Sequence, residues 1–334
     1  MYVAVVLPAF DIAPFLRQAL LSMLSQTHPD WSLVVVDDGS TDATAAIAAS
    51  FTDPRIRMIQ QANAGVSAAR NRGIAAFRNH RTAPPPDIRE FDPAIVSGCP
   101  VRGDPHPIPD AFLFLDGDDW LAPDALARLT DALDAAPWAV AAIGRYARVA
   151  ADGVVRLSSP PPKGCLLEPL LTRNLFANGG HLLIRREAVE FAGPFRQDLR
   201  YGEDWEYWVR VALLGEFVAV RSRAPLLFVR ERHAGAYLSN ASDATAYRPA
   251  MDAIYANPAV AGRLGSARMA CLWRSAEAEL AWAVGRELIR HGHRRIGRIW
   301  LGRSVRHAPS LRRLALMAMS WLRAGPFRPY RVAE

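Results

Sequence analysis

The stretch AFLFLDGDDW, residues 111–120, is the strongest structural signal in the sequence. Its first five residues are apolar without a polar interruption, which is typical of a strand buried on both faces in the centre of a parallel sheet. Two carboxylates, Asp116 and Asp118, follow where that strand ends. Ligands of open α/β sheets bind beyond the carboxyl ends of the strands, so we expect both carboxylates on the floor of a cleft.

Asp116 and Asp118 are separated by one residue, so their side chains can point the same way from an extended or tightly turned backbone. Such a pair can hold a hard divalent cation or a sugar hydroxyl. The alternative is a solvated turn in which Asp118 or Asp119 is the first residue of a helix. Pro123 indicates a helix start nearby, and acidic residues are common at helix N-termini.

Strands and helices alternate on the N-terminal side of this stretch. Each predicted strand is followed by a helix. The strand at 2–7 is followed by a helix through 12–23, and the strand at 32–36 by an alanine-rich helix that ends near residue 51. The strand at 55–60 is followed by a helix through 68–74. This βαβαβα order, followed by the strand at 111–115, predicts a doubly wound, mostly parallel sheet flanked by helices.

The rest of the chain divides into two parts. After the central strand we predict helices at 123–135 and opening at 202–208, and strands around 139–146, at 182–184 and at 226–230. Past about residue 245 the pattern is helical, basic and tryptophan-bearing. The predicted domains are therefore an α/β domain of residues 1–240 and a helical C-terminal extension of residues 241–334.

Residues 78–110 interrupt the α/β pattern with prolines and charges and without a repeated apolar face. A loop of this length inside a domain is either a functional lid or a disordered insertion. The missing periodicity favours a flexible, disordered insertion.

Composition excludes several classes of protein. With 334 residues and 51% hydrophobic content, the chain can bury a large core and is not expected to be disordered. Its three cysteines lack the spacing of zinc sites or of a disulfide framework, so we expect a reducing cytoplasm. No basic leader precedes the first strand and no apolar run approaches ~20 residues, so neither a signal peptide nor a membrane-spanning helix is expected.

Positive charge is concentrated at the C-terminal end. The net charge is +7, but residues 260–334 hold 15 arginines and four acidic residues, which leaves the first 259 residues at −4. Arginines are interleaved there with Ile296, Ile299, Trp300 and Leu301. Basic amphipathic helices with tryptophan suit an anionic membrane surface; the alternative is a helical lid or dimer face on the α/β domain.

Five motifs occur in a characteristic order along the chain. They are VVLPAF at 5–10, VVDDGSTD at 35–42, NAG at 63–65 with ARNRG at 69–73, LDGDD at 115–119, and GEDW at 202–205. In this order they resemble the family 2 glycosyltransferases of the GT-A fold, and residues 116–118 resemble the DXD motif of that family. The resemblance does not cover the C-terminal tail.

The resemblance implies a nucleoside diphosphate sugar as donor, which we expect to be UDP-linked. In the family, the carboxylate matching Asp38 contacts the base, with Asp37 as its neighbour, and Pro8 and Ala9 lie where backbone borders the base. A carboxylate suits a pyrimidine edge because it accepts a hydrogen bond from the ring N–H. Arg70 matches the arginine that helps to hold the nucleotide, the alternative being a surface residue of a helix.

The resemblance also implies Mn²⁺ or Mg²⁺ as cofactor. In the DXD motif the carboxylate matching Asp118 coordinates the metal and that matching Asp116 faces the ribose side, so both are candidate metal ligands. A bound divalent ion compensates the charge of the diphosphate leaving group. His233 matches a position that can approach the metal or the diphosphate, although a lone histidine is also common as a surface or packing residue.

Glu203 and Asp204 match an acidic pair before a helix, in which Asp204 is the general base for the acceptor hydroxyl. Helix capping by either carboxylate is the alternative. Trp205, Tyr207 and Trp208 follow, and we expect at least two of them to pack in the core rather than to form a platform for a sugar ring. Elsewhere the chain departs from the family, since Asp11 stands where many members have asparagine.

The sequence thus predicts an inverting, metal-dependent glycosyltransferase that moves a hexosyl or N-acetylhexosaminyl group to a hydroxyl acceptor in glycan or polysaccharide biosynthesis. We expect a glycan or lipid-linked acceptor and a cytoplasmic protein, either unattached or peripheral on the inner face of the plasma membrane; an oligomer is compatible with the sequence.

The alternatives are a non-catalytic nucleotide-sugar-binding or scaffold protein of the same fold, and a polyanion-binding protein acting through the arginine tail. No aromatic-basic RNA-binding motif supports the last, and no nucleic-acid partner is expected.

Overall fold

The computed structural model describes residues 1–77, 108–231 and 244–322, which form two compact units. The first unit comprises the described parts of Met1–Leu166, Phe176–Asp198 and Arg210–Glu231. The second comprises the described parts of Leu167–Leu175, Leu199–Val209 and Arg232–Glu334. The domain boundary between residues 240 and 241 stays a prediction, and the insertion predicted at 78–110 lies, except for residues 108–110, outside the described residues.

Strands and short helices make up the described part of the chain as far as residue 231. In chain order they are β1 (Val3–Ala9), α1 (Ala13–Leu24), β2 (Trp31–Asp37), α2 (Thr44–Ala49), β3 (Ile56–Gln60), α3 (Val66–Ala76), β4 (Ala111–Phe114), β5 (Trp120–Leu121), α4 (Ala125–Asp134), β6 (Ala139–Ile143), β7 (Tyr146–Val149), β8 (Val155–Leu157), α5 (Leu167–Thr172), β9 (Leu182–Arg185), α6 (Arg186–Ala192), α7 (Glu203–Leu214), β10 (Glu216–Ala219) and β11 (Leu227–Arg230). The helices after residue 243 are α8 (Ala244–Ala256), α9 (Pro258–Leu264), α10 (Ser266–Arg290), α11 (Arg294–His307) and α12 (Leu311–Met319).

A seven-stranded sheet in the order β10-β6-β9-β4-β1-β2-β3 forms the centre of the first unit. β1 pairs in parallel with β2 and β4, and β2 pairs in parallel with β3. Of these seven strands, only β9 runs antiparallel to its neighbours, β4 and β6. The predicted doubly wound, mostly parallel sheet flanked by helices is confirmed.

The apolar stretch at 111–115 contains β4, which is buried on both faces. Leu113 belongs to the large apolar cluster on one face of the sheet. Phe112 and Phe114 face the other way and contact Phe77 and Phe195 edge-on, with ring centroids 6.0 and 5.1 Å apart. Phe112 is 2% exposed and the other residues of β4 are fully buried. This double burial is what an uninterrupted apolar run predicts.

The strand order creates a topological switch point beside β4. The chain passes from β1 to β2 and β3 on one side, and then returns to β4 on the opposite side of β1. The carboxyl ends of β1, β2 and β4 therefore meet at one edge of the sheet, where open α/β folds bind their ligands.

A second sheet, in the order β5-β11-β7-β8, is a feature that the sequence did not predict. The single strand expected around 139–146 is wrong, because β6 belongs to the large sheet and β7 to the small one. The break falls at Gly144, where a Cβ would lie 2.5 Å from the Leu226 side chain and the N–H donates to the His181 carbonyl at 2.9 Å. Glycine permits this close approach, so the chain can change sheets here.

In the second unit, α10 and α11 pack with their backbones in contact. A Cβ on Gly285 would lie 2.8 Å from the Gly297 carbonyl oxygen, and one on Gly297 would lie 2.7 Å from that of Gly285. Ser304 Oγ donates a hydrogen bond to the Ala278 carbonyl at 2.7 Å. The predicted helical C-terminal region is confirmed. None of the helices in the described ranges carries an apolar stretch long enough to cross a membrane.

His181 is a buried imidazole that makes stability depend on pH. It is 2% exposed, lies against the rings of Tyr146 and Phe176, and has Nδ1 2.9 Å from the Gly144 carbonyl oxygen. Burial lowers the pKa of His181 to about 4, so the folded protein holds it neutral. The unfolded chain protonates it near a pKa of ~6.5, so its contribution is fully present above that pH and declines by up to ~3 kcal/mol as the pH falls towards 4.

We expect the melting temperature to fall more steeply in the wild type than in His181→Asn between about pH 7 and about pH 4.5. Asparagine does not titrate, and its amide can still donate a hydrogen bond to the Gly144 carbonyl. Calorimetric unfolding at several pH values measures both slopes. Parallel slopes for the two proteins would show that His181 is not the group responsible.

Candidate functional site

The candidate site lies at the carboxyl ends of β1, β2 and β4 in the first unit. β1 ends with Pro8, which is half-buried, and Ala9, whose carbonyl accepts a hydrogen bond from the Asp38 N–H at 2.8 Å. Asp37 ends β2, is 2% exposed and accepts a hydrogen bond from the Ser40 N–H at 3.1 Å. The backbone predicted to border the base is thus fastened to the acidic end of β2.

Asp38 holds the turn that leads into α3. Its Oδ1 accepts hydrogen bonds from Gln61 Nε2 at 2.7 Å and from the Ala64 N–H at 2.9 Å, and its Oδ2 accepts one from the Gly65 N–H at 2.8 Å. Gly65 has a φ of 90°, which glycine adopts without steric cost. Three of about four acceptor positions of this carboxylate are therefore used inside the protein. Its contact with a nucleotide base stays a prediction.

Asp11 and Asp42 fasten the loops after β1 and β2 to each other. Asp11 Oδ1 accepts hydrogen bonds from the N–H groups of Thr41 at 2.7 Å and Asp42 at 3.3 Å. Asp42 Oδ2 accepts one from the Ala13 N–H at 3.0 Å. Asp11 has a φ of 47°, a left-handed conformation that aspartate and asparagine tolerate better than other side chains. Aspartate at this position therefore has a structural role in the loop.

Arg70, on α3, forms an ion pair with Asp116 at the end of β4. Its guanidinium nitrogen lies 3.0 Å from Asp116 Oδ1, and its side chain is only 5% exposed. The guanidinium lies over the Phe195 ring, 5.3 Å from the centroid. Asn71 fixes that residue by donating to the Phe195 carbonyl at 2.8 Å and accepting from the Phe195 N–H at 2.7 Å. The alternative that Arg70 is a surface residue is wrong.

Gly117 separates the two aspartates because no side chain fits at its position. A Cβ there would overlap the Ile12 side chain and lie 3.3 Å from the Pro8 carbonyl oxygen. The loop after β4 can therefore approach the end of β1. Asp118 is partly exposed, and its carbonyl oxygen accepts a hydrogen bond from Arg230 Nε at 3.2 Å.

Asp119 is a buried carboxylate that was not predicted as a site residue. It is 3% exposed, and it accepts hydrogen bonds from the Arg230 N–H at 2.8 Å and from Asn178 Nδ2 at 2.5 Å. Burial, followed by the charges of Asp118 and Asp116, raises the pKa of Asp119 well above its ordinary value. Asp119 thereby connects the loop after β4 with the end of β11.

The alternative in which Asp118 or Asp119 starts a helix is wrong. Trp120–Leu121 follow directly as β5, and α4 begins only at Ala125. Trp120 stacks on Phe228 of β11 with ring centroids 5.4 Å apart. The acidic turn therefore joins the two sheets of the first unit.

Asp116 and Asp118 offer carboxylate oxygens of the kind that hard divalent cations prefer. The described ranges contain no group of three or more histidine, cysteine, aspartate or glutamate side chains that could hold a metal ion. Mg²⁺ at nucleotides commonly uses one or two carboxylates and completes its ligands with water and substrate phosphates. Asp118, which is partly exposed, and Asp116 fit such a set of hard oxygen ligands. His233 lies outside the described residues.

The predicted catalytic pair, Glu203 and Asp204, opens α7 and belongs to the second unit. Asp204 Oδ1 accepts a hydrogen bond from the Trp205 N–H at 2.6 Å, and its Oδ2 accepts one from Asn174 Nδ2 at 3.3 Å. The positive end of the helix dipole favours the ionised carboxylate here. Both capping and general-base catalysis suit these contacts, and the catalytic assignment stays a prediction.

The aromatic residues of α7 are core residues. Tyr207 and Trp208 are fully buried and Trp205 is 6% exposed. Trp205 Nε1 donates a hydrogen bond to the Leu170 carbonyl at 2.6 Å. The prediction that at least two of the three pack in the core is confirmed.

Comparison with known proteins agrees with this geometry. The model of the family described as Glycosyl transferase family 2 matches residues 4–80. The uncharacterized glycosyltransferase EpsJ of Bacillus subtilis (strain 168) is 27% identical over 267 residues, which are 75% of this chain and 65% of EpsJ. The chain thus spans less than two thirds of the length of this curated relative.

Two solved structures share the fold. S. aureus TarS 1-349 in complex with UDP superposes with a TM-score of 0.59 at 15% identity, covering 96% of this chain and 87% of that chain. The mannosyltransferase PcManGT from Pyrobaculum calidifontis, in complex with GDP-Man and Mn²⁺, superposes with a TM-score of 0.55 at 19% identity, covering 98% of this chain and 81% of that chain. The resemblance to the family 2 glycosyltransferases of the GT-A fold is therefore confirmed, by the family match over residues 4–80 and by the fold.

Proposed function

We propose that this protein is an inverting, metal-dependent glycosyltransferase that moves a sugar from a nucleoside diphosphate sugar to a hydroxyl acceptor. The observation that carries the proposal is the ion pair of Arg70 with Asp116 at the switch point of the sheet, with Asp118 two residues further on. A guanidinium and two carboxylates at the carboxyl ends of parallel strands suit a ligand that combines a diphosphate, a ribose and a bound cation.

The donor in this proposal is UDP-linked. TarS is solved with UDP and PcManGT with GDP-Man, so proteins of this fold take different bases. The choice of UDP follows the sequence resemblance and the UDP bound by TarS. The Asp38 carboxylate would accept the ring N–H of uracil through its remaining acceptor position, with Asp37 beside it. The backbone of Pro8 and Ala9 would border the base, and Arg70 would help to hold the nucleotide.

Asp38→Asn separates a role in the turn from a role in base recognition. If Asp38 contacts the base, we expect this variant to weaken UDP binding ~10-fold more than binding of inorganic pyrophosphate, because pyrophosphate has no base and a hydrogen bond to a charged group is worth ~1.5 kcal/mol or more. Calorimetric titration of both ligands with Mn²⁺ measures the difference. An equal loss for UDP and pyrophosphate would leave Asp38 with its structural role alone.

A divalent cation, Mn²⁺ or Mg²⁺, belongs to the proposal, with Asp118 and Asp116 as its protein ligands. When bound, it supplies positive charge to the diphosphate leaving group. PcManGT is solved with Mn²⁺, which supports a divalent cation in this fold. Arg70 orients Asp116, and the hydrogen bond from Arg230 to the Asp118 carbonyl restrains the backbone of the turn.

Asp204 is the general base in this proposal. The acceptor oxygen forms a bond to C1 of the sugar as the bond from C1 to the diphosphate oxygen breaks, and the hydroxyl proton passes to the Asp204 carboxylate. A base of modest pKa suffices because the hydroxyl loses its proton only during attack. Glu203, the preceding residue, is the second candidate for this role.

The transferred group is a hexose or N-acetylhexosamine, and the acceptor is a hydroxyl of a glycan or lipid-linked molecule in polysaccharide biosynthesis. A catalytic domain of residues 1–240 and a basic extension of residues 241–334 that contacts an anionic membrane surface belong to the same proposal. Exposed apolar side chains on the described helices of that extension support the membrane contact, among them Ile296, Leu311 and Leu314.

Donor hydrolysis tests the proposal. Without acceptor, we expect slow release of UDP from at least one UDP-sugar in Mn²⁺ and none with a chelator. A non-catalytic nucleotide-sugar-binding or scaffold protein predicts donor binding without release. Failure to release a nucleoside diphosphate from any of UDP-, GDP-, ADP- and CDP-sugars, despite binding, would favour that alternative.

A further inference from the structure

A pocket of about 500 Å³ opens among α8, α10 and α11 in the second unit. None of its residues has a role in the proposed donor binding or transfer. Six of the residues that line it are Arg248, Glu277, Ile299, Trp300, Arg303 and Arg306. Its size is in the range of ligand pockets in proteins, which span about 300–1,000 Å³.

The charges around this pocket are unbalanced towards positive. Glu277 is engaged by Arg248, whose guanidinium lies 2.5 Å from its carboxylate oxygen. Arg303 and Arg306 are both exposed on α11, and neither makes an ion pair with a carboxylate in the described part of the chain. Two guanidinium groups three residues apart on one helix lie on the same side, so both can reach a single anion. Planar guanidinium groups are well suited to phosphate oxygens.

The other residues that line the pocket are His307 and the apolar side chains of Ala281, Ile299 and Trp300. The Arg303 guanidinium lies over the Trp300 ring, 4.6 Å from its centroid, so a positive charge and an aromatic surface are close together in the pocket. Ile299 is 52% exposed, and Ile296, one turn earlier on α11, is exposed to the same extent. An inorganic anion would use the guanidinium groups and leave these side chains in water. An anion that carries an apolar chain would contact the guanidinium groups and also cover the apolar side chains.

We propose that this pocket binds the phosphate ester head group of an anionic phospholipid at a membrane surface. Exposed apolar side chains in the same unit favour a lipid over a free phosphate, since Leu311 is 87%, Leu322 75% and Trp321 64% exposed. Tryptophan and basic side chains are the usual residues of helices that lie in the membrane interface. This inference names the site of the membrane contact that is part of the proposed function. It depends on that part alone and not on the proposed donor or catalytic residues.

Co-sedimentation of the full chain with vesicles tests the site. We expect binding to phosphatidylcholine vesicles that contain phosphatidylglycerol and little to vesicles of phosphatidylcholine alone. Each arginine near an anionic surface contributes about fivefold to binding, so Arg303→Gln with Arg306→Gln should weaken it ~10-fold or more. The matched control is Arg221→Gln with Arg263→Gln, which removes the same charge from exposed positions outside both the pocket and α11 and should weaken binding much less. Arg306→Gln alone, at an exposed position, provides a second variant should the double change unfold the protein.

Equal losses for the pocket and control variants would overturn the site, because they would show that only total charge matters. Absence of binding to the anionic vesicles by the wild type would overturn it as well. Competition by inorganic phosphate as strong as that by a soluble short-chain phosphatidylglycerol would show that the pocket takes free phosphate. UDP binding with Mn²⁺ is measured on the same proteins and should be unchanged, so failure of this site is distinguished from failure of the proposed function.

Discussion

The Asp118→Ala variant is expected to lose the Mn²⁺-dependent part of nucleoside diphosphate binding and to transfer sugar at least ~10²-fold more slowly, since charge compensation by a bound ion contributes several kcal/mol. The fold should survive, because Asp118 is partly exposed and alanine keeps the backbone carbonyl that accepts the hydrogen bond from Arg230. Calorimetric titration of UDP with Mn²⁺ and with a chelator measures the loss.

Asp124→Ala is the matched control for this variant. Asp124 is a half-buried carboxylate in the same segment, and it pairs with Arg128 at the start of α4 at 2.6 Å. Its removal should leave UDP binding dependent on Mn²⁺. If the wild type binds UDP equally well in chelator and in Mn²⁺, the assignment of Asp118 as a metal ligand is wrong.

The Asp204→Asn variant is expected to bind donor and Mn²⁺ normally, to melt near the wild-type temperature and to transfer sugar at least ~10²-fold more slowly, because positioned general bases contribute ~10² to 10⁴ in rate. Asparagine keeps the size of the side chain and an oxygen that can accept from the Trp205 N–H. It removes the proton acceptor. Single-turnover transfer rates and donor affinities, measured separately, locate the loss in the chemical step.

A capping role for Asp204 predicts a different pattern. Asp204→Ala would then cost about 1 kcal/mol in stability and Asp204→Asn little, with transfer unchanged in both. Asn174→Ala is the control for the side-chain contact at 3.3 Å, and its transfer rate should stay near that of the wild type. Near-normal transfer by Asp204→Asn would reassign the base, with Glu203→Gln as the next variant to measure.

The large sheet could be predicted because its central strands carry a strong local signal. β1, β2 and β4 are apolar runs buried on both faces, and their burial is visible in the sequence without knowledge of their partners. The small sheet could not be predicted in this way. β5 has two residues and β8 has three exposed residues, so neither shows periodicity. Their existence depends on pairing partners that are distant in the sequence.

In the candidate site, too, the residues with a local sequence signal could be predicted, and those that depend on distant partners could not. Arg70, Asp116 and Asp118 stand in motifs, and the structure brings the first two together in an ion pair. Asp119 was missed because its function depends on Asn178 and the Arg230 backbone, which lie 59 and 111 residues away in the sequence. The available signal was a third acidic residue directly after an apolar strand, which is unlike an ordinary solvated turn.

Asp38 shows how a motif can carry a role that its pattern does not reveal. The resemblance assigns it to the base, whereas its hydrogen bonds to the N–H groups of Ala64 and Gly65 fix the start of the helix that holds Arg70. Ala64 and Gly65 are 26 and 27 residues from Asp38 in the sequence, so no local sequence pattern indicates these hydrogen bonds. A resemblance therefore identified the residue, and only the fold identified this second role.

The central claim is that the first unit binds a nucleoside diphosphate together with a divalent cation at the carboxyl ends of β1, β2 and β4. A thermal-shift titration of the full chain with UDP, in Mn²⁺ and in chelator, tests it most directly. We expect UDP to raise the melting temperature in Mn²⁺, with a stabilisation of ~2.7 kcal/mol at 100 times its dissociation constant, and to have little effect in chelator. No shift with any of UDP, GDP, ADP and CDP, in either Mn²⁺ or Mg²⁺, would contradict the claim.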